Sequence, residues 1–242
     1  MERLDKLLCA QGLGSRKEVR QWLHDGRVLV NGEICTDPAR KVDPVKETIQ
    51  ADDVFLSIQK EMYIMLNKPP GILTAAMDKR AKTVMDLLPP KYLSSGCMPV
   101  GRLDKDTRGL LLCTTDGALA HLLLSPKRHV WKEYQVTVQG RLTQADVDAF
   151  SEGIPLNDFT ALPAQLTLCQ CGEAFSKAVV RIREGKFHQV KRMFLQRGCP
   201  VTELRRLSFG SLRLDESLQE GSYRDLTAQE INALKSDVGG RE

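Results

Sequence analysis

The sequence predicts an α+β protein in two parts: a small helix–helix–hairpin unit over residues 1–58 and a larger mixed domain over residues 61–238. Three observations lead there. A helix-capping box and an Asn-Gly turn both fall within the first 32 residues. After residue 61, strand-like runs and short helical runs follow one another without the steady alternation that a parallel sheet needs. The 242 residues are 42% hydrophobic and 27% charged, a balance that supports packed cores rather than disorder.

The first unit opens with "RLDKLLCAQGLGSRKEVRQWLHDGRVLVNGE". Leu4, Leu7 and Leu8 recur at helical spacing, and Gly12 and Gly14 stop that helix. Ser15 and Glu18 stand at the spacing at which each satisfies the other's orphan amide donor. The helix they begin runs to about Asp25 with Val19, Trp22 and Leu23 inward. Arg16, Lys17 and Arg20 then lie mainly on its outer side. "RVLVNGEIC" turns at Asn31-Gly32, the strongest short hairpin signal. "DDVFLSIQKE" (52–61) carries the chain onward.

In the larger domain "MYIMLNK" (62–68) is a strand stopped by Pro69-Pro70-Gly71, and "GLLLCTT" (109–115) is a strand buried on both faces. "ALAHLLLS" (118–125) is a short helix begun by Asp116-Gly117. "EYQVTVQG" (133–140) alternates, with Tyr134, Val136 and Val138 on one face. "TQADVDAFSEG" (143–153) is a capped helix closed by glycine. "AQLTLCQC" and "FSKAVVRIRE" read as paired strands. "FHQVKRMFLQRG" (187–198) is a helix that buries Val190, Met193 and Phe194. The tail after Ser236 is expected to fray.

Composition excludes several classes. Apolar runs such as Leu110–Cys113 fall far short of the roughly 18 residues a bilayer needs. The amino terminus is charged from its second residue and lacks a secretion signal's apolar core. Seven cysteines include no CxxC pair, and Cys169-Gln-Cys171 has no further ligand nearby, so reduced thiols in a cytoplasmic protein are expected and no metal site. Cys97 and Cys113 read as small hydrophobes. Net charge is only +4, but residues 181–213 hold nine Lys or Arg against two acids. That excess is either a phosphate-facing surface or a solvated helix face.

"GRLDKDTRGLLLCTTDG" (101–117) concentrates the candidate chemistry. Asp106 and Asp116 stand close to glycines and suit turn formation, where carboxylates bond nearby amides. Asp104, between Leu103 and Lys105 just ahead of a buried strand, has less of that explanation. Periodicity decides no further.

This stretch resembles the aspartate motif of pseudouridine synthases, in the form G-R-L-D-x-x-T-x-G-L-L-L-x-T-x-D-G. "LNKPPG" (66–71), "KEY" (132–134) and "EGKFHQVKRM" (184–193) follow in the order of the RsuA-like branch, which modifies ribosomal RNA. The amino-terminal unit is similar to the RNA-binding domain first described in ribosomal small-subunit protein four, here the S-four domain. The resemblance covers residues 3 to about 230, and four ordered motifs make it specific. It implies a mixed, largely antiparallel sheet with flanking helices, and isomerisation of one uridine to pseudouridine. It implies no cofactor, because the reaction is redox-neutral.

The resemblance also implies roles. Asp104 matches the catalytic aspartate, ionised to act as nucleophile or to stabilise a developing sugar cation. Lys191 occupies the family's basic position and is the expected partner of that carboxylate, which could not be buried alone. Tyr134 matches the active-site tyrosine, placed to stack on uracil and assist proton removal. Arg102, with Leu103 turned inward, would project beside Asp104 and either fill the space a flipped uridine leaves or hold its phosphate. His188 is expected to shape its loop. Arg192, Arg205, Arg206 and Lys68 are candidates for RNA phosphate, as are Arg16, Lys17 and Arg20 in the S-four unit.

The implied function is pseudouridine formation in ribosomal RNA, small-subunit RNA ahead of large-subunit RNA, by a cytoplasmic monomer whose partner is that RNA or an assembling subunit. Two rivals belong to other classes. A non-catalytic ribosome-assembly factor would not need Arg102, Asp104, Tyr134 and Lys191 intact. A hydrolase using Asp104 would want a second acid–base group near the motif, and none presents itself.

Overall fold

The computed structural model describes residues 2–11, 13–44, 46–52, 54–56 and 61–239. The chain divides into two compact units, Met1–Lys60 and Glu61–Glu242.

In the first unit β1 (Glu2–Arg3) leads into α1 (Leu4–Ala10), and α2 (Arg16–His24) follows. Ser15 N–H donates to Glu18 Oε2 at 2.7 Å and Glu18 N–H donates to Ser15 Oγ at 3.4 Å, closing the expected box. Gly12 lies outside the described residues. The hairpin joins β2 (Val28–Val30) to β3 (Glu33–Ile34), with Asn31 and Gly32 both at positive φ, as its two-residue turn demands. β4 (Lys41–Val42) pairs with β1, and β5 (Ile49–Ala51) and β6 (Val54–Phe55) extend the hairpin to a sheet of order β3-β2-β5-β6. Strands this short leave little periodicity to read, and β4 to β6 were not expected. The core gathers Leu4, Leu7, Leu8, Val19, Leu23, Val28 and Ile49, while Arg16, Lys17 and Arg20 are exposed. Of the 52–61 connection, residues 53 and 57–60 lie outside the described residues.

The second unit contains β7 (Tyr63–Lys68), α3 (Pro90–Ser94), β8 (Met98–Pro99), β9 (Arg108–Thr114), α4 (Gly117–Leu124), β10 (Lys132–Gln139), α5 (Gln144–Glu152), β11 (Gln165–Cys171), β12 (Phe175–Ile182), α6 (Gln189–Gln196), β13 (Val201–Phe209), β14 (Leu212–Arg213), β15 (Tyr223–Asp225) and α7 (Ala228–Gly239). The main path of the sheet runs β11-β12-β10-β13-β9-β7-β15. Every pairing is antiparallel except β13 with β9, where Arg206 stands opposite Gly109. This is the mixed, largely antiparallel sheet the motifs imply.

β7 and β9 are buried on both faces. Ile64, Leu66, Leu111 and Cys113 join Val136, Val138 and Phe194 in one core, and Tyr63, Met65, Leu110 and Leu112 join Leu123 and Leu234 in the other. The sheet is therefore covered on both sides, and it holds its loops against a rigid base.

Two expectations change, and one strand carries no sequence expectation. β13 is a central strand, although its sequence "VTELRRLSF" interrupts apolar alternation with Glu203, Arg205 and Arg206. The 187–198 helix begins only at Gln189, because His188 adopts a left-handed conformation (φ +50°) that a helix excludes. The tail expected to fray after Ser236 is helical as far as Gly239, with Val238 buried.

Candidate active site

The loop between β8 and β9 is built to present two side chains. Thr74 Oγ1 accepts the Leu103 N–H at 3.2 Å and donates to the Leu103 carbonyl at 2.9 Å, which pins Leu103 inward. Its neighbours Arg102 and Asp104 both line one cleft. The Thr107 N–H then closes a turn on the Asp104 carbonyl at 3.1 Å.

Lys68 sits beneath this loop. Its ammonium donates to the carbonyls of Pro69, Lys105 and Thr107 at 3.0, 3.1 and 2.9 Å, using all three donors. The residue is 0% exposed. Burial pushes its pKa down to about 8 against the opposing pull of Asp106 and Asp104, so it remains mostly charged at neutral pH. This corrects the expectation that Lys68 contacts RNA phosphate: it is a clamp on the loop that carries Asp104.

Across the cleft, β10 contributes Tyr134, which is buried and follows a bulge between Glu133 and Tyr134 in the pairing with β13. Ile182, Leu204 and the Gly185–Val190 segment complete the lining. From α6, Lys191 Nζ stands 3.4 Å from Asp104 Oδ2 and donates to Asp106 Oδ1 at 2.5 Å. His188 Nε2 lies 3.5 Å from Asp104 Oδ1, and its ring stacks on that of Phe187 at 3.8 Å. Asp104 retains 25% side-chain exposure. Asp106 is no mere turn residue: the hydrogen bond from Lys191 holds its carboxyl below the ordinary range. The cleft's cavity measures about 60 Å³, room for a few waters. Arg102, Lys186 and His188 are the exposed side chains of its lining.

The arrangement offers an ionisable carboxylate flanked by an ammonium and an imidazole, facing an aromatic ring. It suits stabilisation of positive charge, or nucleophilic attack, on a planar substrate held against Tyr134.

Other basic candidates are drawn elsewhere. Arg192 pairs with Asp158 and lies over Phe159. Arg206 is buried and donates to the Leu110 carbonyl at 2.7 Å, so it braces the sheet rather than meeting phosphate. Arg181 and Arg213 both face Glu133, and Arg197 faces Asp146. Much of the 181–213 charge excess is thus spent on internal pairs. Arg16, Lys17 and Arg20 belong to the other unit.

Two supports, Thr74 and Gln189, carry no sequence signal, and Asp106 reads in the sequence only as a turn former. The buried Gln189 amide donates to Glu184 and accepts the Lys186 N–H at 3.0 Å, fixing the loop ahead of α6. Each is a polar residue whose partners lie far along the chain or across a loop, which no local pattern signals. Among the described residues no cluster of three or more His, Cys, Asp or Glu could hold a metal, all seven cysteines are free, and no helix is long and apolar enough to cross a membrane.

Comparison with known proteins agrees with the motifs. Residues 62–196 match the family model described as RNA pseudouridylate synthase, and residues 2–49 match the S4 domain. The chain is 40% identical to an uncharacterized RNA pseudouridine synthase of Bacillus subtilis, covering 96% of this chain and 98% of that one. It is 37% identical to ribosomal small subunit pseudouridine synthase A of Vibrio vulnificus (96% and 99%). Identity to ribosomal large subunit pseudouridine synthase B of Bacillus subtilis is 33% (98% and 96%). A crystal structure of a pseudouridylate synthase, 34% identical, superposes with a TM-score of 0.67 over 97% of this chain and 100% of its own. With a family match spanning more than half of its length and relatives aligned end to end, the chain belongs to the RNA pseudouridylate synthase family and is an isomerase acting on RNA.

Proposed function

We propose that the protein converts one uridine of small-subunit ribosomal RNA to pseudouridine, with Asp104 as the catalytic carboxylate. The observation that carries the assignment is the placement of Lys191 Nζ 3.4 Å from Asp104 Oδ2 in a cleft lined by Tyr134 and Arg102. The isomerisation breaks the bond from ribose C1′ to uracil N1 and forms one to C5. The proton on C5 leaves and N1 gains one, so atoms and electrons balance without a cofactor. Asp104 meets C1′ either covalently or as a counter-charge, and both routes need it ionised. Tyr134 stacks on the base and assists loss of the C5 proton. Arg102 occupies the gap that the flipped nucleotide leaves, offsetting an unstacking cost of a few kcal/mol.

The S-four unit, residues 1–58, docks the RNA through Arg16, Lys17 and Arg20 on α2, while the unit from 61 to 238 performs the chemistry. The small subunit is favoured because the relatives named for it are 37% and 36% identical, against 33% and 32% for those named for the large subunit. The protein acts as a cytoplasmic monomer on free ribosomal RNA or an assembling subunit.

The test is tritium release from RNA labelled at uracil C5, with small-subunit and large-subunit transcripts offered separately. About one tritium per small-subunit RNA, lost in Asp104→Asn, supports the reading. Release from the large-subunit transcript alone moves the target. No release from either transcript or from assembling particles would revive the non-catalytic alternative.

A further inference from the structure

A hollow larger than the Asp104 cleft lies elsewhere in the second unit. It measures about 340 Å³ and is lined by Arg128, His129, Trp131, Arg181, Arg183 and Asp237, with the turn at Gly210 and Ser211. We propose that this hollow is a second RNA subsite, which grips a phosphodiester of the same strand that delivers uridine to the cleft. The inference rests on the proposed RNA substrate.

Position comes first. Ile182 lines the cleft, and its two chain neighbours, Arg181 and Arg183, line the hollow. Successive side chains of a strand point to opposite faces. The two hollows therefore lie back to back at one end of β12, and near the start of β10 Tyr134 lines the cleft while Trp131, just ahead of the strand, lines the hollow. A strand leaving the cleft past Gly185 has only the end of β12 to round before it meets the arginines.

The chemistry fits phosphate. The guanidinium carbons of Arg181 and Arg183 lie 5.0 and 4.8 Å from the Trp131 ring, so one indole orients both planar cations. A guanidinium held by stacking keeps its edge donors for a bidentate anion. Arg181 is partly neutralised by Glu133 at 3.4 Å. Among the described residues Arg183 has no carboxylate partner within 4.0 Å, and its Nε is buried without an acceptor. Asp237 is the carboxylate in the lining, and it already accepts the Ser211 N–H at 2.6 Å. The volume falls in the range of about 300–1,000 Å³ typical of ligand sites, enough for one nucleotide unit.

The experiment compares wild type, Arg183→Ala and a charge-matched control, Arg141→Ala. Arg141 lies just past the opposite end of β10, where it pairs with Glu173. Binding of labelled oligouridylate and of the small-subunit transcript is measured by fluorescence anisotropy over a salt series. Arg183→Ala should bind roughly tenfold more weakly, the loss of one charge-assisted contact. Its salt slope should fall by about 0.7, the value for one single-strand phosphate, and KM in tritium release should rise by the same factor. Arg141→Ala should change neither. Affinity and slope unchanged in Arg183→Ala, or changed equally in both variants, would overturn the subsite. So would saturable binding of pyrophosphate or UMP that is lost in Arg183→Ala while RNA affinity stays the same, since the hollow would then serve a free phosphate ligand. Tritium release by wild type reports separately on the catalytic reading.

Discussion

Lys191 Nζ stands 3.4 Å from Asp104 Oδ2. The same ammonium donates to Asp106 Oδ1 at 2.5 Å, so one cation serves two carboxylates of one short loop. Their burial separates them: Asp104 is 25% exposed at its side chain and Asp106 is 73% exposed. An exposed pair is worth about 0–1 kcal/mol, so the bond to Asp106 mainly holds Lys191 in place. Asp104→Asn should abolish tritium release and leave RNA affinity within a few-fold. Lys191→Met should lower kcat by roughly 10- to 100-fold, the worth of a charge-assisted contact. Asp106→Asn should cost less than about tenfold. A kcat for Asp106→Asn lower than that for Asp104→Asn would reverse the assignment.

The three carbonyls bound by Lys68 make the Asp104 loop dependent on a fully buried side chain. Lys68→Met leaves these acceptors unpaired in the interior and should cost roughly 3 kcal/mol of stability or more, with kcat reduced through misplacement of Asp104. Its pH signature is distinct. In the folded chain Lys68 titrates at about 8, against 10.5 for an ordinary lysine. Between these values the unfolded chain binds more protons at this site, so its contribution to stability rises with pH across that window. The stability advantage of wild type over Lys68→Met, followed by urea denaturation, should therefore grow from pH 8 to pH 10.5. A flat difference would mean that Lys68 titrates at its ordinary value.

How much of this was legible depends on where each residue's partners lie. The Ser15–Glu18 box, the Asn31-Gly32 turn and the two-face burial of β9 are local, set by neighbours within a few positions, and all appear in the structure. β13 is not local. Its arginines are tolerated in the centre of a sheet because Arg206 finds the Leu110 carbonyl, 96 residues earlier in the chain. Lys68 misled for the same reason, since a lysine ahead of Pro-Pro-Gly reads as a surface charge until Lys105 and Thr107 are brought to it. At the cleft, motif order points to Arg102, Asp104, Tyr134 and Lys191, which the fold brings together. The residues that hold them, Thr74 and Gln189, carry no periodic or compositional mark.

The basic face of α2 makes a separate prediction. Arg16, Lys17 and Arg20 are exposed, and the nearest carboxylate to Arg20, that of Asp5, is 3.8 Å away and also bonded to Arg3. Replacing all three by alanine should leave thermal stability within about 0.5 kcal/mol, as for ordinary surface changes. It should lower the salt slope of RNA binding by about 2 if all three meet phosphate, at roughly 0.7 each. An unchanged slope in anisotropy titrations would remove this face from the RNA interface.

The parallel pairing of β9 with β13 depends on one backbone position. Gly109 stands opposite Arg206 at φ +101°, and an added Cβ would lie 2.4 Å from the Arg206 carbonyl oxygen and 2.8 Å from its nitrogen. Both are backbone atoms in a buried strand, so neither can swing aside as a side-chain tip would. Gly109→Ala combines a strained φ with that overlap, each costing about 1–3 kcal/mol. Gly71 provides the comparison: its φ is +84°, but nothing lies within 4 Å of its Cβ position, so Gly71→Ala should cost only about 1 kcal/mol. Thermal melts should place Gly109→Ala well below Gly71→Ala, by roughly 4 °C or more for a chain of this size. Activity should follow, because Thr107, two residues before Gly109, anchors the turn on Asp104, and a shifted β9 carries that anchor with it. Equal melting temperatures for the two variants would show that the β9–β13 contact relaxes freely, and that the Asp104 loop is held by Lys68 and Thr74 alone.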